Sequence, residues 1–295
     1  MTDLEQEREQ LRVEIEQWLA EQTYEWDNVL EENAFNKNLL VSQAELNHWL
    51  TQWLNTLPAE QKKTVIDIID HLVIYISNFF HKHSNCEEIE RSIVMEARLF
   101  ESGLSSFEEI PSVDFYRLQY IEQKFRSRYP LYALVEGGLA GSGHPLLLAI
   151  DFPALLSINL KMLHYVASTY GYSLKHPYEQ MLVLKVLHAA TLPRHHKRAA
   201  WDWLIEHHVH RGQARELTLF DNGQTLIKEE WLETLVKQWV KAVVLYGLKK
   251  TSKKNWSLVG MVFGANMNYQ WTKRVGQFAS LFYRYRFLEE RKEDV

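Results

Sequence analysis

One cysteine, Cys86, in 295 residues excludes an intrachain disulfide and a cysteine-based zinc site, and it fits a reducing compartment. Glycine and proline are sparse, 12 and 7, so a sheet laced with tight turns is a poor description and helices are the expectation. No excess of either charge stands out. With 33 basic against 38 acidic residues and a net charge of −5, no overall basic field would draw in nucleic acid. Nor is there an uninterrupted apolar run of the roughly 20 residues that a spanning helix needs. Residues 137–160 come nearest, but Pro145, Asp151 and Pro153 break them; residues 66–80 are interrupted by Asp67, Asp70 and His71. The charged opening MTDLEQEREQLRVEIEQW has no apolar core, so no secretory signal is expected.

What is there is apolar spacing at helical period in a chain that is 46% hydrophobic, enough for a sizeable core. Leu4, Leu11, Ile15, Trp18 and Leu19 share one face of a helix over 3–22, and a second is expected from 26 to about 56. Pro58 opens a helix to His83 with Val65, Ile68, Ile69, Leu72, Ile76 and Phe79 in a stripe. Residues 113–127 predict a helix turning Phe115, Leu118, Tyr120, Ile121 and Phe125 inward, with further helices over 177–190, 195–209, 228–248 and about 266–292. On the last, Trp271, Val275, Phe278, Phe282 and Tyr285 form one side; Arg274, Arg284, Arg286, Arg291 and Lys292 fall mostly on the other. Two stretches differ from the rest: 131–172, glycine-clustered and then apolar, and 256–271, which carries no charge at all. The expected fold is all-α, a multi-helix bundle around a central glycine-rich apolar helix pair. Residues 1–57 form an N-terminal helical extension and 58–295 the main helical domain.

Chemistry is harder to find. Gly137, Gly138, Gly141 and Gly143, and again Gly260 and Gly264, have the small-residue spacing that lets helix backbones approach closely. A phosphate-cradling loop would need a preceding strand and a following Lys-Ser/Thr, which are missing. Asp151, two residues before Pro153, reads as a cap at a helix start. The functional alternative pairs Asp151 with Glu136 as acids beside an apolar cavity. Histidines gather at 188, 195, 196, 207, 208 and 210, yet their spacing matches no ligand pattern; His207, His208 and His210 are the candidates if a metal is held. Ser142 is not in a nucleophile elbow, and Cys86 stands beside Glu87 and Glu88, which oppose thiolate formation.

A combination of motifs carries a resemblance. Glu136-Gly137 and Gly141-Ser142-Gly143 are followed by Asp151-Phe152-Pro153-Ala154-Leu155, then by Tyr170-Gly171-Tyr172; near the C-terminus come Leu258-Val259-Gly260, Gly264, Asn268 and Tyr283-Arg284-Tyr285-Arg286-Phe287-Leu288. In order and spacing, over about residues 110–292, the chain resembles the EcsC family: a glycine-rich turn, a D-x-P helix start, a YG helix end and an arginine-bearing final helix. One departure is Ser142-Gly143-His144-Pro145, where the pattern has more glycine and no histidine. The family is named for a bacterial protein encoded beside the ATPase and membrane subunits of an ABC transporter. It brings no catalytic residues with it. The resemblance therefore implies a bacterial accessory factor without enzymatic activity or obligate cofactor, cytoplasmic or peripheral at the inner membrane face, in contact with transporter subunits or an anionic membrane surface. A hydrolase using Asp151 and Glu136, with or without histidine-bound metal, and a plain helical scaffold are the competing expectations.

Overall fold

A computed structural model describes residues 3–20, 43–81, 83–139, 145–192, 194–209, 232–239 and 258–293. Among them every regular element is helical, and no strand occurs. In chain order these are α1 (Asp3–Ala20), α2 (Gln43–Asn55), α3 (Ala59–His81), α4 (His83–Ala97), a 3-10 turn (Phe107–Ser112), α5 (Phe115–Arg126), α6 (Tyr129–Leu139), α7 (Pro145–Thr169), α8 (Pro177–Thr191), α9 (Arg194–His208), α10 (232–239) and α11 (Leu258–Glu293).

The bundle is arranged around α7. It is flanked by α3, α4, α5, α6, α8 and α11, and from Leu155 to Tyr170 it is wrapped so closely that Lys161 alone is exposed. A helix that is apolar nearly all round has no other stable place than the centre. Leu156, Leu160, Leu163 and Val166 are fully buried, and Asn159, His164, Ser168 and Thr169 are polar residues buried among them. Asn159 ties α7 to its neighbour. Its amide nitrogen donates to the Leu155 carbonyl at 2.7 Å and to Thr272 Oγ1 of α11 at 3.1 Å, bonds that offset part of the cost of burying it and fix the register of α7 against α11, while its Oδ1 has no hydrogen-bond partner among the described residues.

Two helix starts follow from local chemistry. Asp114 caps α5, its carboxylate accepting from the amides of Tyr116 and Arg117 at 3.1 and 3.3 Å. Pro177 occupies the first turn of α8, where its missing amide costs nothing. The start of α7 departs from expectation. The helix opens at Pro145, and Pro153 lies inside it, so Asp151 stands in the body of the helix and is not its cap. Pro145 supplies the same first-turn preference one segment earlier, and the tight packing around α7 holds the helix through the hydrogen bond that Pro153 cannot make.

The final helix also differs from its expected limits. The uncharged stretch and the arginine-bearing stretch are one helix of 36 residues, about 54 Å long at 1.5 Å per residue. Its strongest association is with α6, so the two glycine-bearing segments do pack together. Gly276, which the motifs did not single out, is a point of close approach: a Cβ there would lie 3.0 Å from Met162 Sδ and 3.1 Å from Arg126 Cγ and Cδ. Tyr120, expected inward on α5, is more than half exposed and meets Phe100 edge-on at 5.8 Å.

At the other end of the chain α1 lies on α11 and α9. Arg8 donates to the Leu288 carbonyl at 2.6 Å, Arg284 pairs with Glu14 at 2.8 Å, and Trp18 packs on Phe278 at 5.4 Å. These ties bind the first helix to the last.

Candidate functional site

The Tyr170-Gly171-Tyr172 motif is a helix terminus with a specific geometry. The Tyr172 amide donates to the Ala167 carbonyl at 3.2 Å and the Gly171 amide to Ser168 at 3.0 Å, the paired bonds that close a helix through a left-handed residue. Gly171 is that residue, with φ +88°. Glycine is required twice over, because a Cβ would also stand 2.6 Å from Pro111 Cγ of the 3-10 turn. The turn delivers two aromatic rings. Tyr170 goes into the core beside Phe115 and Phe287, and Tyr172 lies beneath Arg286, whose guanidinium carbon is 3.8 Å from the ring centre.

Arg286 is the hub of a buried charge cluster. The sequence sets it, with Arg284, apart from the apolar stripe of α11, yet both are buried, with relative exposures of 6% and 7%. The reason is geometric: α8 and α1 cover that side of α11 and each brings a carboxylate to it. Nη1 of Arg286 donates to both oxygens of Glu179 at 2.8 and 2.9 Å, and Nε donates to Glu290 at 2.8 Å. Tyr172 completes the ring by donating its hydroxyl to the other Glu290 oxygen at 2.8 Å. Burial alone would push the guanidinium toward neutrality, but Glu179, with Tyr172 and Glu290, more than offsets this and holds its pKa well above the ordinary arginine value. Every carboxylate in this cluster is committed to a donor. Chemically it is a clasp joining α8, α11 and the turn at 170–172.

A neighbouring group continues the clasp into α9. Tyr178 and Lys185 of α8 approach His208 at 3.0 Å from Nδ1 and 3.2 Å from Nε2. An ammonium can only donate, so Nε2 accepts and Nδ1 carries the proton toward the Tyr178 oxygen. His207 stacks on Trp203 at 4.7 Å, its Nδ1 2.9 Å from the Trp203 carbonyl oxygen. These two histidines serve aromatic and hydrogen-bond contacts, and among the described residues no three His, Cys, Asp or Glu side chains gather as a metal site. His210 lies outside the described residues.

Glu136 and Asn268 meet across the α6–α11 seam, the amide donating to the carboxylate at 3.1 Å. Of the remaining motif positions, Gly137 lies in α6, Asp151 and Pro153 in α7, and Gly260 and Gly264 in α11. Gly141 lies outside the described residues, as does the Asp151 side chain, so no pairing of Asp151 with Glu136 is built. Glu122 is a further buried acid, 1% exposed on α5 and bonded to Arg126 Nε at 2.5 Å. Burial raises its pKa against the opposing pull of Arg126, Ser280 and Arg284.

Sequence reasoning passed over Glu179, Glu290 and Glu122. Glu179 had a signal: it is the single acid of α8, two residues behind the helix-opening Pro177. Glu122 sits on the apolar face of α5 beside Leu118 and Ile121, which is the same signal.

The opposite anomaly occurs on α6. Tyr129, Pro130 and Ala133 are buried against the bundle, whereas Leu131, Tyr132, Leu134 and Val135 are exposed, Leu131 by 55% and Val135 by 62%. At 100° per residue these four span an arc of about 160° with no charge in it. Glu136, the one charged residue of α6, faces the seam. The helix is apolar on both sides, and its outer side is left exposed.

Comparison with known proteins agrees with the motifs. An uncharacterized protein of Bacillus subtilis (strain 168), YdbA, is 24% identical over 262 residues, 84% of this chain and 89% of that one. No solved structure matches the chain. The model of the EcsC protein family matches residues 9–288, a span that takes in the Gly171 turn, the Glu136–Asn268 contact and the Arg286–Glu179 pair. With nearly its whole length covered, the chain belongs to the EcsC protein family.

Proposed function

We propose that this chain is a non-enzymatic accessory factor that works by docking at the cytoplasmic face of a membrane, in contact with lipid or with the subunits of an ABC transporter. One observation carries the reading: α6 turns an uncharged apolar face outward while its only acid is held inward by Asn268. Surface apolar residues gathered on one helix mark a place of contact. Among the described residues no helix is long and apolar enough to cross a membrane. The motif residues Gly171 and Arg286 support the same division of labour, since they are spent on holding helices together, Arg286 through Glu179.

Not every cation of α11 is available to an anionic surface. Arg284 and Arg286 are paired with Glu14 and Glu179 and do not serve, while Lys249, Lys250, Lys253 and Lys254 lie outside the described residues. Flotation with liposomes and fractionation of cells test the reading together. The chain is expected in the floating fraction, the membrane fraction or both; recovery in neither contradicts it.

A further inference from the structure

We infer that the outer face of α6 is an interfacial docking surface for an anionic lipid bilayer, entered by Leu131, Leu134 and Val135 with Tyr132 at headgroup level. This rests on the membrane reading above and names the surface and the partner.

Three observations single out lipid. The first is area. Among the described residues of α6 the four exposed side chains offer roughly 400 Å² of largely apolar surface, a patch of functional size but about half of what each side of a stable dimer buries. A second copy of the chain is thus poorly matched, whereas a bilayer accepts a small convex face because it flows around it. The second is shape. Over its 11 described residues, about 16 Å, the helix has the length and one-sided exposure of a segment that lies in the interface. The third is the flanking chemistry. Arg128 is exposed one residue ahead of the helix, with its guanidinium 5.9 Å from the Phe125 ring, and Lys161 and Lys273 are exposed on α7 and α11, the two helices packed against α6. Glu88, close enough to Tyr129 to act on its hydroxyl, is the opposing acid in that neighbourhood. A tyrosine and basic residues beside an apolar arc are the composition of a helix that settles at a charged headgroup layer.

The rigid backing gives the face its use. Glu136–Asn268 and the burial of Ala133 and Tyr129 hold α6 on the bundle, so the apolar arc is presented without the ordering cost that an unstructured segment would bear on binding.

The test is flotation of the full chain with vesicles of phosphatidylcholine alone and with a third phosphatidylglycerol, comparing the wild type with Leu131→Gln/Val135→Gln and with the conservative Val135→Leu. Both altered positions are exposed, so thermal midpoints should match and loss of fold is separable. The wild type and Val135→Leu are expected to float with the anionic vesicles, and the double variant to bind them at least tenfold more weakly. Equal binding by the double variant overturns the docking face and leaves membrane action standing. No vesicle binding, with recovery in native membranes, overturns lipid in favour of a membrane protein partner. Absence from both removes the underlying reading as well.

Discussion

Two regions of this molecule invert the usual distribution of residues, in opposite senses. At the α8–α11 contact an arginine and a glutamate are buried together, and on α6 leucine, tyrosine and valine face out. The first inversion is fully compensated: Arg286 has Glu179 and Glu290, and Tyr172 closes the ring. The second has no compensation within the chain's own described contacts. A buried charge that is paired holds a fold in register, whereas exposed apolar surface gains nothing until something covers it. The difference separates what keeps the protein folded from what it offers to a partner.

The sharpest way to break the comparison is at the clasp. Arg286→Met leaves Glu179 buried without its cation, and a loss of about 3–5 kcal/mol is expected in urea unfolding. Adding Glu179→Met should restore much of it, because the cost lies in the uncompensated charge more than in the lost contact. Gly171→Ala comes next. A positive φ and a Cβ against Pro111 together predict about 2–3 kcal/mol, and Pro111→Ala should recover the steric share only.

Acid probes the buried side alone. His164 of α7 is 1% exposed, with both ring nitrogens lacking a hydrogen-bond partner and a ring edge-on to Phe79 at 6.5 Å. Burial, with a smaller push from Lys161, lowers its pKa from 6.5 to about 3. The folded state therefore prefers neutral imidazole, so the stability tied to it is complete above pH 6.5 and is lost as pH falls toward 3. Between pH 7.5 and 5.0 this amounts to about 2 kcal/mol. His164→Leu should flatten that part of the pH dependence in unfolding experiments. The smallest effect belongs to α6: Leu131→Gln/Val135→Gln is expected to change stability by less than about 0.5 kcal/mol.

Much of the fold was legible because burial leaves a period in the sequence. The stripe of Val65, Ile69, Leu72 and Ile76 and the all-round apolar run after Leu155 point to α3 and to the central α7, and Gly171 reads directly as a helix end. The clasp was less legible. Arginine in a tyrosine-rich helix looks solvated until a carboxylate from another helix is known to reach it, and that is a tertiary fact. The start of α7 was misplaced because Pro145 and Pro153 carry the same local signal and only packing chooses between them. The outward face of α6 was hidden for a similar reason. An apolar run in sequence reads as core, and nothing local says that α11 and α7 would occupy its other side.

Cys86 makes a direct measurement practicable. It is 3% exposed, and burial, aided by Glu90, pushes its thiol up to about 11, so a new surface cysteine can be labelled selectively. An environment-sensitive dye on Val135→Cys, with Arg12→Cys as an exposed reference on α1, reports whether α6 enters the bilayer. The account predicts a blue shift at position 135 on adding anionic vesicles and little change at position 12. A protein that floats with those vesicles while the dye at 135 stays in water would contradict it.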